Sequence, residues 1–183
     1  PPAHILWPSL TGAVALALFV APLQPGFGGP ADTPKFQFLG YVLGTAHPPG
    51  YPLYVVLSNL FVRLPIGTIA YRANLFSAVT AAVACALVYV IARQLGSGRW
   101  AASGAALGLA TGASFWLNAV FAEVYGLAAM MAALTMALLL DWDARRGAAR
   151  LIVALAAFSL GMGNHLTLVG IVPGCLLYVV LRD

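Results

Sequence analysis

Long apolar runs, separated by short breaks rich in polar residues, Gly or Pro, organise this chain. The runs lie at residues 5–23, 74–91, 100–117, 124–140, 151–162 and 166–181. They are continuous and not alternating, which excludes a β-barrel and predicts helices. The first run has the length of a bilayer span, about 20 residues. No charged segment precedes it and further runs follow, so it reads as an anchor and not a cleaved leader. The run at 53–64 stops at Pro65 and Gly67 and is too short to span. It predicts an interfacial or re-entrant helix. Residues 35–43 predict a short helix on the membrane surface, with Phe36, Phe38, Leu39 and Val42 turned to lipid. Residues 24–34 form a loop rich in Gly and Pro, and 141–150, the most polar stretch, a solvated one. The pattern therefore predicts an all-α integral membrane protein, a multi-spanning helical bundle of about six spans. It forms one transmembrane domain over residues 1–183, with a large first outer loop, 24–72, that holds the short interfacial helices. Because it opens on Pro1 and stops at Asp183 just after an apolar run, the chain reads as the amino-terminal fragment of a longer polypeptide.

Composition agrees with that class. The chain is 62% hydrophobic and 8% charged, where soluble domains carry about 25% charged residues. Mean hydropathy is +0.92. No basic cluster interleaved with aromatics points to nucleic acid. Cys85 and Cys175 both sit inside apolar runs and read as buried small hydrophobes, neither disulfide nor metal ligands. The basic residues set the orientation. With the amino terminus inside, Arg93, Arg99, Arg145, Arg146, Arg150 and Arg182 face the cytoplasm, and only Lys35, Arg63 and Arg72 face outward.

That orientation collects the polar chemistry on the outer face. Asp32 and His47 fall in the first outer loop, Glu123 at the outer turn between the third and fourth spans, and Asn164 and His165 at the turn between the fifth and sixth. Asp141, Asp143 and Asp183 stay inside beside arginines. Ionisable groups at membrane depth are costly and are functional candidates by default. The densest punctuation is residues 44–54, where three prolines and two glycines surround His47. No regular helix runs through such a segment, so it predicts a shaped turn carrying a histidine, a residue type suited to proton exchange or to hydrogen bonding from either ring nitrogen. Structural roles compete with functional ones here. Asp32 suits the N-cap of the following helix, Glu123 complements a helix dipole, His165 suits a helix start, and Arg63 and Arg72 suit lipid phosphates. His4 reads as an incidental interfacial residue.

These residues carry a resemblance. Asp32-Thr33 with Phe36-Gln37, the run His47-Pro48-Pro49-Gly50-Tyr51-Pro52-Leu53-Tyr54, Tyr71-Arg72 with Asn74 and Ser77, Glu123-Val124-Tyr125, and Gly163-Asn164-His165 together resemble one family. It is a bacterial family related to the membrane protein O-mannosyltransferases, within the GT-C superfamily. The resemblance implies a GT-C-type bundle in the bacterial inner membrane with an outward-facing active site. It implies an inverting glycosyltransferase that moves a sugar, possibly mannose, from a polyprenyl-phosphate carrier to a protein or envelope acceptor. On that reading Asp32 is the general base, and His47, Glu123 and His165 complete the catalytic set. Arg72, Lys35, Asn164, Tyr54 and Tyr125 face the lipid-phosphate donor. Relatives often carry an acid where this chain has Lys35, so one carboxylate is missing, and Glu123 is the candidate to replace it. No cofactor is required; a divalent metal is compatible with the residues but not demanded. Membrane lipids are expected partners and nucleic acid is not. The competing reading, from another class, is a lipid-phosphate carrier or flippase module, or a non-catalytic assembly subunit, using the same outer cavity. Transporters place such groups near the midplane; their clustering on one face favours the enzyme.

Overall fold

The structure is a computed structural model that describes residues 3–182, and Asp183 lies outside the described residues. Every regular element among them is helical: α1 (Ala3–Val20), α2 (Thr33–Val42), α3 (Pro52–Val62), α4 (Ile69–Gln94), α5 (Arg99–Thr111), α6 (Ala113–Val120), α7 (Tyr125–Arg145), α8 (Ala148–Met162), a 3₁₀ helix (Leu166–Ile171) and α9 (Val172–Arg182). Two of these, α4 and α7, are long and apolar enough to cross a membrane; His4–Val20, Ala148–Met162 and Leu166–Arg182 are apolar but shorter.

α4 is the central element. It packs against α1, α2, α3, α5, α6 and α7, and small residues let it. Ala73, Ala78, Ala81, Ala82, Ala84 and Cys85 are buried along it, and small side chains allow helix axes to approach closely. Across the α7 interface Gly126 is required. A Cβ there would lie 2.9 Å from the Ser77 carbonyl, so only glycine lets α7 start where it does. The core divides in two. Along α1, α4 and α5 it is Ala-rich and closed by Phe19. At the other end it is aromatic, with Phe36, Tyr51, Tyr54, Phe76 and Leu127 under α2 and α3.

Local sequence starts the helices that frame the site. Thr68 caps α4, its side chain accepting from the Tyr71 N–H at 3.1 Å. Pro34 and Pro52 sit in the first turns of α2 and α3, where a missing N–H costs nothing.

Four expectations are corrected. The run at 100–117 is not one helix; it breaks at Gly112, which has extended backbone and closes α5. α2 does not lie flat on lipid, because Phe36 and Leu39 are buried in the aromatic core and only Phe38 and Val42 are exposed. The i, i+3 spacing of Phe36 and Leu39 puts them on the face that meets α3 and α4. Residues 141–145 are helical and not loop: α7 continues through them, tied by the Asp141–Arg145 pair at 3.0 Å. Finally, the run at 166–181 starts as a 3₁₀ turn before α9 begins.

Candidate functional site

At one end of the bundle, the loop before α2, the proline turn before α3, the α6–α7 connection and the α8–3₁₀ turn come together. The proline turn is closed by Gly50 N–H to the His47 carbonyl at 2.9 Å, and the Leu53 N–H reaches the Gly163 carbonyl at 2.9 Å. Two breaks more than a hundred residues apart in sequence are thus joined by backbone. Tyr51 takes up left-handed backbone, φ 50°, an uncommon state for a non-glycine residue and one held only by its surroundings.

The side chains of this turn meet those of α2. Lys35 Nζ lies 2.8 Å from Asp32 Oδ1 and 2.9 Å from His47 Nδ1. An ammonium only donates, so His47 Nδ1 accepts and the neutral ring carries its proton on Nε2. That nitrogen faces Tyr51 Oη at 3.1 Å and Asp32 Oδ2 at 3.7 Å. The Tyr51 ring in turn stacks on His165, with centroids 5.6 Å apart, and Tyr125 closes on the same histidine at 5.4 Å. His165 Nδ1 accepts from the Thr167 N–H at 3.1 Å, which leaves Nε2 as the protonated nitrogen of the neutral ring. Burial lowers the His165 pKa and keeps it in that neutral form.

The two carboxylates live in opposite environments. Asp32, 45% exposed at its side chain, is held below the usual carboxylate range by the bond from Lys35, with His47 adding to the effect. Its side chain makes no cap bond to α2, although it occupies the N-cap position. Glu123 is buried. Burial pushes its pKa up to about 7, opposed by the hydroxyl of Thr33 and reinforced by the charge of Asp32. Thr33 Oγ1 donates to Glu123 Oε1 at 3.2 Å. The backbone of Glu123 is clamped to α4: its N–H donates to Ser77 Oγ at 3.0 Å, and Ser77 Oγ donates back to its carbonyl at 3.1 Å.

Asp32, Lys35, His47, His165 and Tyr125 thus gather at one place, with Glu123 beneath. The remaining candidates do not join them. Arg72 is spent on the carbonyls of Thr68 and Leu64. Tyr54 is fully buried, and its hydroxyl, beside Ser77, bonds to no described group. Asn164 is fully buried and donates to the Val124 carbonyl at 3.0 Å, which braces the segment carrying Glu123.

Sequence reasoning missed Tyr51 and Thr33 as members of the cluster. Both lie inside motifs quoted for the resemblance, but no role was assigned to them there, and only the fold turns their side chains to His47 and Glu123. It also missed a stitching network. The Gln37 side chain pairs with both backbone groups of Gly28 at 2.8 and 2.9 Å and donates to Asn74 Oδ1 at 3.3 Å. Asn74 bonds the Gln24 carbonyl and the Ala122 N–H. The polar spacing of Asn74 and Ser77 on an apolar run was the available signal. Among the described residues no three His, Cys, Asp or Glu side chains cluster in a way that could hold a metal ion; the cationic position between Asp32 and His47 belongs to Lys35.

An all-helical bundle that brings Asp32, Lys35, His47 and His165 together with the Tyr51 and Tyr125 rings at one end defines the class, and comparison places the chain within it. Residues 32–183 match the family described as protein O-mannosyl-transferase TMEM260 N-terminal domain, and the chain belongs to that family. The mouse (Mus musculus) protein O-mannosyl-transferase TMEM260 is 34% identical over 163 residues, covering 84% of this chain and 23% of that protein. The chain therefore spans about a quarter of that relative's length. No solved structure matches the chain.

Proposed function

We propose that this chain is the membrane-embedded catalytic part of a protein O-mannosyltransferase with a GT-C-type multi-span bundle. It uses a polyprenyl-phosphate-linked sugar and works from the outer face of a bacterial inner membrane. The observation that carries the reading is the junction of Asp32, Lys35, His47, Tyr51 and His165, drawn from three separate segments to one end of the bundle. Family membership and the name of the mouse relative support transfer of mannose to protein. Membrane insertion is supported by α4 and α7, each long and apolar enough to cross a bilayer, and by apolar side chains exposed on the outer helices. α9 buries none of its residues, and Ile152, Val153, Leu155 and Leu160 of α8 are each more than half exposed.

In this reading Asp32, exposed and ionised, takes the proton of the acceptor hydroxyl. The hydroxyl oxygen bonds to the anomeric carbon from one side as the bond to the carrier phosphate breaks on the other. The electron pair leaves with the phosphate, and the configuration inverts. Lys35 supplies fixed positive charge, and the Nε2–H groups of His47 and His165 supply neutral donors for the leaving phosphate. Such positioned donors are worth most where water is excluded. Glu123, neutral or charged near pH 7, supports Thr33 beside the base.

The test uses the purified full-length protein, radiolabelled polyprenyl-phosphate mannose and a protein acceptor. Transfer that Asp32→Asn abolishes supports the proposal. Sugar-lipid uptake without transfer would instead support the carrier reading.

A further inference from the structure

The opposite end of the bundle holds a second polar site. The candidate active site meets α4 at Asn74 and Ser77, and Arg93 in the last turn of α4 lies 16–19 residues further along the helix, roughly 24–29 Å at 1.5 Å per residue. There the end of α4, the start of α1, the start of α5 and the end of α7 enclose an open cleft of about 670 Å³, lined by Trp7, Tyr89, Arg93, Gln94, Arg99 and Arg145, with His4 at its edge. Among the described residues no carboxylate lines it. Four other arginine pairings at this end are satisfied: Arg145 and Arg150 reach Asp141, and Arg146 and Arg182 reach Asp143. Arg93 and Arg99 have no acidic partner among the described residues. Arg93 gives one donor to the Ser97 carbonyl. The Arg99 guanidinium stands 5.6 Å from the centre of the Trp7 ring. Trp7 packs edge-on against Trp100 at 5.1 Å, and Trp100 is 74% exposed. An indole pair with one half-buried and one exposed ring suits headgroup depth.

We propose that this cleft binds the phosphate group of an anionic species, and that its natural source is a lipid headgroup at the membrane face opposite the candidate active site. Two guanidinium groups without acidic partners, facing one cleft, match phosphate oxygens in charge and fork geometry. The tryptophan pair at the rim suits the glycerol and upper acyl region of a lipid. Free phosphate would find the same cations but no use for the aromatic rim. The site is independent of sugar transfer and of the residues proposed for it.

Lipid retention decides the matter and reads out whether or not transfer is detected. The full-length protein in detergent is titrated with phosphatidylglycerol, and bound lipid is counted by native mass spectrometry. The double variant R93Q/R99Q is compared with R146Q/R150Q, which removes two acid-paired arginines outside the cleft. Each basic side chain near anionic lipid is worth roughly fivefold in affinity. R93Q/R99Q should therefore bind phosphatidylglycerol about 25-fold more weakly, and R146Q/R150Q about as well as the parent. Should the double variant fail to fold, R93Q and R99Q singly should each lose about fivefold. Inorganic phosphate that displaces the lipid at millimolar concentration would assign the cleft to free phosphate, with the same chemistry upheld. Unchanged phosphatidylglycerol binding by the variants of Arg93 and Arg99, or an equal loss in R146Q/R150Q, would overturn the proposal.

Discussion

At the scale of single residues the site is a contrast between two acids. Asp32 is half-exposed, paired with Lys35 and held ionised; Glu123 is buried, its pKa pushed up to about 7. Because the Asp32 side chain makes no cap bond, replacing it should leave α2 intact. Asp32→Asn is expected to keep its melting temperature and to lose transfer by roughly 10²–10⁴-fold, the usual worth of a positioned base. Parallel thermal melts and transfer assays check this, and a fully active Asn variant would remove Asp32 from the mechanism. Tyr51 offers a finer probe. Tyr51→Phe keeps the stack on His165 and removes the hydroxyl that meets His47. Stability should change by no more than about 1 kcal/mol, while transfer drops by about an order of magnitude. A wild-type rate would reduce Tyr51 to packing. Both histidines read as neutral donors for one reason: in each, Nδ1 is already taken, by Lys35 in one case and by the Thr167 backbone in the other.

At the scale of elements the decisive contact is between α4 and α7. Gly126 lets the first turn of α7 lie against the Ser77 carbonyl, and the hydroxyl of that same serine clamps the backbone of Glu123. Gly126→Ala must push the two helices apart at the point that positions the buried acid. It should cost about 1–3 kcal/mol, as overpacking does, and lower transfer as well. Chemical unfolding in detergent measures the first effect, and an unchanged midpoint would contradict the close packing. α2 is the other instructive element. Its apolar residues read as a lipid-facing surface when taken alone, but Phe36 packs edge-on against Tyr54, 5.0 Å between centroids. Burial there holds Asp32 and Lys35 over the proline turn.

At the scale of the whole molecule two outcomes follow. In the folded protein the Glu123 pKa is pushed up to about 7, against 4.5 for an ordinary glutamate. The folded protein therefore binds more protons than the unfolded chain between those values, and stability falls as pH rises through that window. The loss is on the order of 3 kcal/mol. Thermal melts from pH 4 to pH 8 should show this decline, and Glu123→Gln, which stays neutral, should flatten it. A decline of equal size in the Gln variant would assign the pH dependence elsewhere. The second outcome is topological. With Cys85 and Cys175 replaced, a single cysteine introduced at Gly147 should resist impermeant reagents in intact cells, whereas one at Thr45 should react. Labelling of position 147 from outside would invert the bundle and move the proposed active site to the cytoplasm.

The apolar runs, the breaks between them and the gathering of the lone acids with His47 and His165 at one end follow from the sequence by itself. Burial of backbone in helices and the separation of charge from lipid leave few alternatives for such a pattern. The His47–Tyr54 run was legible for a similar reason, since three prolines in a short stretch forbid a helix. Only the tertiary structure decided what touches what. It broke the 100–117 run at Gly112, since a continuous apolar pattern does not register an extended residue at one glycine. It turned Phe36 and Leu39 inward, because facing is set by the neighbour and not by the residue. It also separated Arg72, Tyr54 and Asn164 from the cluster while bringing in Tyr51 and Thr33. Side-chain direction depends on backbone φ and on partners distant in sequence, and a left-handed Tyr51 joined to a turn near Gly163 is written in neither segment alone.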